Sequence, residues 1–291
     1  KWERNDQVNV GIDFGILNGR VRLTADWYNK VSKDILLELA QPTHMGYSSL
    51  LMNSGEIKNT GVEFTISADP FTNKDFNWHT DLTLAHNKGT YASIPTPNHR
   101  QQQAGNYQNQ LFQMIEGEKL GTFWGYTFDG IWQEDEVNAP FVDANGQTNG
   151  KTNGEVYKVV AGNSKYVDTN KDGVLNDADQ GIIGCGQPTF NWGWNNSLNY
   201  KNFDFSFFMV GFHGFDIYNA THQMGFNTVS GQNMAAVTPM RDFLNRWTPT
   251  NTNTDVPGFV QGGTENKVFS SRFVENGSFI KMKSITLGYT L

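Results

Sequence analysis

Seven stretches of the chain alternate apolar and polar residues with a period of two, the pattern of a strand with one greasy and one polar face. In the first, Val8, Val10, Ile12 and Phe14 alternate with Asn9, Gly11, Asp13 and Gly15; in the second, Val21, Leu23, Ala25 and Trp27 alternate with Arg22, Thr24, Asp26 and Tyr28. Asn18-Gly19 lies between them and supplies the positive-φ pair that a tight hairpin needs. "GVEFTISADP" and "FNWHTDLTLAHNK" repeat the design, with Val62, Phe64, Ile66 and Ala68 on one face of the third strand and Phe76, Trp78, Leu82 and Leu84 on one face of the fourth. "FNWGWNNSLNY" and "FDFSFFMVGFHG" form a third pair, and "FIKMKSITLGYTL" supplies a last strand in which Ile285, Leu287 and Tyr289 alternate with Thr286, Gly288 and Thr290. Strands of about ten residues are long enough to cross a bilayer when tilted.

The connections have a rhythm of their own. Within pairs they are short; between pairs they run from Asn29 to Thr60, from Gly89 to Thr189 and from Gly214 to Ser278. Loops this long are uncommon in compact domains, whereas outer-membrane barrels alternate short periplasmic turns with long extracellular loops. Trp27, Tyr28, Trp78, Trp192, Trp194, Tyr200 and Tyr289 are expected near strand ends, as an interfacial aromatic girdle. Seven strands do not close an even-numbered barrel, so either "NQLFQMI" and "GTFWGYTFDGIW" are further strands or the chain is a segment. The opening "KWERNDQVNVGIDFG", without an initial Met or a signal peptide, favours a segment of a larger protein. Period-two alternation also suits a soluble β-sandwich or solenoid, and on the pattern alone both readings stand.

Composition narrows the function classes. With 30 Gly, 21 Phe and 8 Trp, the chain is rich in turn and strand formers, which points to an all-β fold. A net charge of −7 with scattered Lys and Arg argues against nucleic acid as a partner. The single cysteine, Cys185, excludes an intrachain disulfide framework and a Cys-rich zinc site.

One stretch carries metal-site spacing. In "DTNKDGVLNDAD", oxygen-bearing side chains fall at Asp168, Asn170, Asp172, Asn176 and Asp179, Val174 would add its carbonyl, and Gly173 sits where such a loop turns sharply. That is an oxygen set suited to Ca²⁺ or, less well, Mg²⁺, in a structural role. The twelfth position is Asp instead of the longer Glu and no amphipathic helix precedes it, so the loop resembles the dockerin type more than the sensor type. The alternative is an Asx-rich turn that caps itself.

Catalytic chemistry finds little support. The six histidines form no H-E-x-x-H pair, and no nucleophile elbow or phosphate loop appears. The three adjacent carboxylates of "QEDEVN" do not show two acids facing each other across a sugar, so they read as a solvated loop, and the expectation is that the chain is not an enzyme. Phe123, Trp124, Tyr126 and Trp132 are candidate substrate-stacking residues, with packing of the loop's own small core as the alternative.

"EGEKLGTFWGYTFDGIWQ", the run from Tyr166 to Asn219, "NSGEIKNTGVEFTI" and "SSRFVENGSFIKMKSITLGYTL" together resemble the C-terminal half of the barrel in SusC/RagA-family TonB-dependent outer-membrane transporters. The resemblance implies that residues 1–291 are part of one 22-stranded transmembrane antiparallel β-barrel domain, with the plug and the final strands absent. It further implies location in the bacterial outer membrane, contact with the lipid bilayer, a SusD-like surface lipoprotein lid, and coupling to TonB through the absent N-terminal part. The imported nutrient would be an oligosaccharide or a peptide, as in gut and oral Bacteroidota. It also implies that an Asp-rich loop precedes the strand beginning near Phe190. A soluble, calcium-stabilised β-rich binding or adhesion module is the competing reading.

Overall fold

The computed structural model describes residues 2–41, 43–47, 49–95, 99–101, 111–226, 241–258 and 268–291. Its frame is an antiparallel sheet of seven strands in which each pairs with its predecessor. The strands are Arg4–Ile16, Val21–Lys33, Glu56–Thr72, Phe76–Ser93, Phe190–Tyr200, Phe203–His213 and Phe279–Tyr289, and we refer to them as the first to seventh wall strands. All seven are those the alternation predicts.

Register carries the alternation across the whole wall. Phe14, Leu23, Ile66, Leu82, Trp194, Met209 and Met282 lie in one cross-strand row, and Ile12, Ala25, Phe64, Leu84, Trp192, Gly211 and Ile280 in the next on the same face. Between them runs Asp13, Thr24, Thr65, Thr83, Gly193, Val210 and Lys281 on the opposite face. Because side chains alternate strictly, in-register pairing turns seven local patterns into one apolar face and one largely polar face. The sixth strand departs from the rule: Phe208, Val210 and Phe212 stand on the polar face, where Phe212 stacks on Phe279 at 5.4 Å.

The short connections lie together at one end. Leu17, Asn18 and Gly19 take successive positive φ values of 54°, 56° and 81°, and Lys201 turns the third hairpin at 52°. Asn and Gly tolerate this region, whereas Leu17 is held there by the bonds Gly19 N to Ile16 O and Arg20 N to Leu17 O. Aromatic rings gather at this end of the apolar face: Phe71 against Phe76 and Trp78, Phe76 against Tyr200, and Phe203 against Tyr289 at 4.7 Å. The expected girdle therefore holds for Trp78, Tyr200 and Tyr289. Trp192 is likewise only two residues from its strand's start, whereas Trp27, Tyr28 and Trp194 lie in mid-strand, where the Trp194 indole donates to Thr80 Oγ1 at 3.0 Å and the Tyr28 hydroxyl to Asn87 Oδ1 at 3.2 Å.

The long connections fold. The first extends its hairpin through Leu36–Ala40 paired with Ser49–Asn53. The other two build a cap: the insertion after Ser93 and the one after His213 share one core in which Leu111 and Phe123 of the first meet Phe269 of the second. Val256 and Phe273 form a second cluster, joined to the first through Tyr218. "GTFWGYTFDGIW" does form strands, Thr122–Tyr126 and Phe128–Ile131, and Phe112–Met114 arises from "NQLFQMI", whose Asn109 and Gln110 lie outside the described residues. Neither joins the wall. They have only three to five residues each and pair within cap sheets, Thr122–Tyr126 against Gln180–Cys185 and Phe128–Ile131 against Ser164–Tyr166.

Backbone bonds seat the cap on the wall. Tyr91 N donates to Glu118 O, Gly117 N to Tyr91 O and Leu120 N to Gly89 O. Gly89 is needed here: a Cβ would meet Leu120 Cδ1 at 2.8 Å and Asn59 Oδ1 at 2.7 Å.

Candidate functional site in the cap

The Asp-rich loop spans Asp168 to Asp179 and is closed by its own side chains. Asp168 accepts Lys171 N at 2.6 Å on one carboxylate oxygen and Gly173 N at 2.9 Å on the other. Asn170 Oδ1 accepts Asp172 N, Asp172 Oδ1 accepts Val174 N, and Asn176 Oδ1 accepts Ala178 N, so three successive Asx turns carry the chain round. Asp179, 3% exposed, accepts Thr169 N and Asn176 N, one on each carboxylate oxygen and both at 2.9 Å. Gly173 takes a φ of +82°, and a Cβ there would meet Val156 Cγ1 at 2.4 Å, so this position demands glycine twice over.

Among the described residues no group of three or more His, Cys, Asp or Glu is gathered as a metal cluster. The donor chemistry of Asp168, Asn170, Asp172, Val174, Asn176 and Asp179 still fits a hard cation. A carboxylate or carbonyl oxygen has two lone pairs, so accepting one N–H leaves capacity for an ion.

Tyr157 links this loop to the aromatic residues. Its hydroxyl donates to Asp168 Oδ2 at 2.8 Å. Burial foremost, then the Asp168 bond and the charges of Asp168, Asp172 and Asp179, push its pKa far above the ordinary tyrosine value, so the phenol keeps its proton. Tyr157 packs against Trp132 at 5.6 Å, Lys165 lies over the Trp132 ring at 5.4 Å, and Tyr126 packs against Tyr166 at 5.8 Å. These rings border a cavity of about 430 Å³, one side of which is the Gly173–Leu175 turn of the Asp-rich loop.

The four aromatic candidates thus separate. Tyr126 and Trp132 line the cavity. Phe123 is a core residue at 4% exposure, beside Leu111 and Phe269. Trp124 is half-buried, with its indole N–H enclosed and without a hydrogen-bond partner. Sequence reasoning did not single out Tyr157 or Tyr166, whose signal would have been their spacing from the Asp-rich loop: eleven residues before Asp168 for Tyr157 and two for Tyr166.

The carboxylate run Glu134, Asp135 and Glu136 forms a single helical turn, Glu134–Asn138. Glu136 accepts Gln133 N at 3.0 Å and the Lys165 ammonium at 2.7 Å, and Lys165 also reaches Asp129 at 3.3 Å. This is a local brace and not a pair of acids opposed across a substrate. On the wall, His79 lies between two carboxylates, with Nδ1 2.7 Å from Asp69 and Nε2 3.0 Å from Asp81, on the polar face. Cys185 is half-buried at a cap strand end, with its thiol toward Leu120 O.

Known proteins resemble this arrangement along its whole length. The family model for TonB dependent receptor-like β-barrels matches residues 1–173. TonB-dependent receptor P3 of Formosa agariphila is 32% identical over all of this chain and 27% of its own length; TonB-dependent receptor SusC of Bacteroides thetaiotaomicron is 26% identical over all of this chain and 26% of its own. Among solved structures, the RagAB peptide transporter superposes with a TM-score of 0.72 at 21% identity, covering 99% of this chain and 29% of that one. The chain spans under a third of the length of these relatives. The chain belongs to the TonB-dependent receptor-like β-barrel family.

Proposed function

We propose that the chain forms part of the wall and outer loops of an outer-membrane importer for a large nutrient, an oligosaccharide or a peptide. Residues 1–291 are read as one portion of a single barrel domain whose plug lies elsewhere in the protein. A SusD-like surface lipoprotein lids the barrel, and TonB supplies energy through the plug-bearing part. The observation that carries this reading is the predominantly apolar face that all seven strands share, interrupted by Thr80, His86, Asn196, Gly211 and His213. On it Val10, Ile12, Phe64, Ile280, Ile285 and Leu287 are exposed, with no second sheet or helix over them among the described residues. A lipid bilayer covers such a face, and it tolerates strands only where every backbone group is paired. The free edges of the first and seventh strands then pair with further strands of the same barrel.

Within the cap, the same reading assigns a structural Ca²⁺, or Mg²⁺, to Asp168, Asn170, Asp172, Val174, Asn176 and Asp179. The ion would tie together a long loop that has no sheet partner along this stretch. The support is the all-oxygen donor set and the tight closure of the loop. Identical proteolysis of the cap with and without chelator would remove the ion from the proposal.

Fractionation of the native source, followed by native mass analysis of detergent-solubilised material, tests the main reading. Recovery in the outer membrane with a lipoprotein partner is the expected result. Recovery as a monodisperse soluble protein would overturn it in favour of a calcium-stabilised binding module.

A further inference from the structure

We propose that the cavity between the Asp-rich loop and the Tyr126–Tyr166 pair is a pocket for one compact apolar or aromatic side chain of a peptide ligand. At about 430 Å³ it falls within the range of small-ligand sites, which run from about 300 to 1,000 Å³. Its walls are chiefly the rings of Tyr126, Trp132, Tyr157 and Tyr166, with Val156 and Leu175 closing the aliphatic side.

Two features select the ligand class. The first is the lining: apart from tyrosine hydroxyls and the Trp132 indole N–H, its polar side chains are Lys158 and Ser164, with no Asp, Glu, Asn, Gln, Arg or His among the described lining residues. A sugar ring, bearing a hydroxyl on most of its carbons, would leave those groups without partners on entering such a space. The second is that the rings are already engaged. Trp132 carries Lys165 over its ring and Tyr157 beside it, Tyr126 leans on Tyr166, and the Tyr157 hydroxyl is held by Asp168. Braced rings make a rigid apolar socket, whereas a sugar-stacking platform needs a bare, accessible ring face.

The inference rests on the import reading only for the source of the ligand, a peptide cargo. Val174 lines the pocket and is 58% exposed, so its replacement leaves the folded core alone. The test uses the complete protein with its lipoprotein partner in detergent, with N-acetylphenylalaninamide and maltose as probes in ligand-observed saturation-transfer NMR. The amide is expected to bind and maltose not to. Val174→Trp, which crowds the socket, should weaken the amide by about tenfold or more, and Val142→Ala, at an exposed cap residue outside the lining, should change it by no more than about twofold. Preference for maltose, binding of neither probe, or indifference to Val174→Trp would each overturn the pocket. Uptake of a Phe-containing oligopeptide by cells is measured beside it. Binding without uptake would break the import reading and leave the pocket standing; uptake without a Val174-sensitive site would do the reverse.

Discussion

Phe64 and Phe273 are the same residue in opposite situations. Phe64, in the third wall strand, is 41% exposed; Phe273, in the cap, is fully enclosed. The contrast extends to their surroundings. The buried apolar side chains among the described residues, including Leu111, Phe123, Ile131, Phe141, Val256 and Phe269, all belong to the two insertions, and none comes from a wall strand. The cap is organised like a water-soluble domain, with apolar groups inside and charged groups such as Lys165 and Glu136 bracing its surface. The wall keeps its apolar groups outside and relies on continuous backbone pairing for cohesion. One chain therefore holds regions built for two solvents, and the same substitution has different consequences in each.

The largest effect is expected in the cap. Phe273→Ala should cost ~3–5 kcal/mol, because a closed core cannot fill the void, and limited proteolysis should then open the cap while the wall stays protected. Phe64→Ala in detergent should cost far less, since it leaves no internal cavity. Equal losses from the two substitutions would refute the contrast.

Charge reverses the order. Phe64→Arg, if it sits near the bilayer midplane, should destabilise the wall by about 2–4 kcal/mol, whereas Thr65→Arg on the other face should be tolerated. Heat-modifiability of the folded barrel on gels reads both. A wall that accepted Arg at both positions would not be lipid-facing.

Asp179→Ala should cost ~1–3 kcal/mol, local to the loop, because the amides of Thr169 and Asn176 lose their buried acceptor. Hydrogen exchange at these two amides is the direct readout, and Asp179→Asn should recover part of the protection.

The smallest expected effect is a pH dependence confined to the cap. His222 sits against Phe273, and burial, followed by the charge of Arg272, lowers its pKa below the ordinary 6.5. The unfolded state therefore takes up the proton first as pH falls. The contribution of neutral His222 to stability is complete above about pH 6.5 and declines below it as pH approaches the depressed folded value. Proteolysis of the cap should accelerate between about pH 7 and pH 5, and His222→Gln should flatten the change.

How much of this was legible in the sequence follows the same division. The wall was readable strand by strand because alternation is local: Val8 to Phe14 or Val62 to Ala68 declare a face without knowledge of their partners. The cap was not, because its strands are three to six residues long and its core is assembled from far apart, Phe123 meeting Phe269 and Val256 meeting Phe273. Nothing local distinguishes the buried Phe123 from the cavity-lining Trp132. In the Asp-rich loop the order of oxygen ligands and the turn at Gly173 were plain in the sequence. The Tyr157 hydroxyl on Asp168 and the cavity behind it depend on a hairpin-like return of the chain that no short motif encodes. The aromatic girdle was half legible, since a ring that finds Thr80 or Asn87 within the sheet, as Trp194 and Tyr28 do, looks in sequence like one that seeks the interface.

The way the two insertions interlock has a mechanical consequence. The first leaves the fourth wall strand and returns at the fifth; the second leaves the sixth and returns at the seventh. Tyr126 N bonds to Phe269 O and Gly258 N to Gly162 O, stitching one insertion to the other. Four adjacent strands are thereby laced together above the sheet as well as within it, like staves held by a hoop over part of a cask. These four strands are therefore expected to move as one panel, apart from the first three, where the connection between the second and third is a separate hairpin.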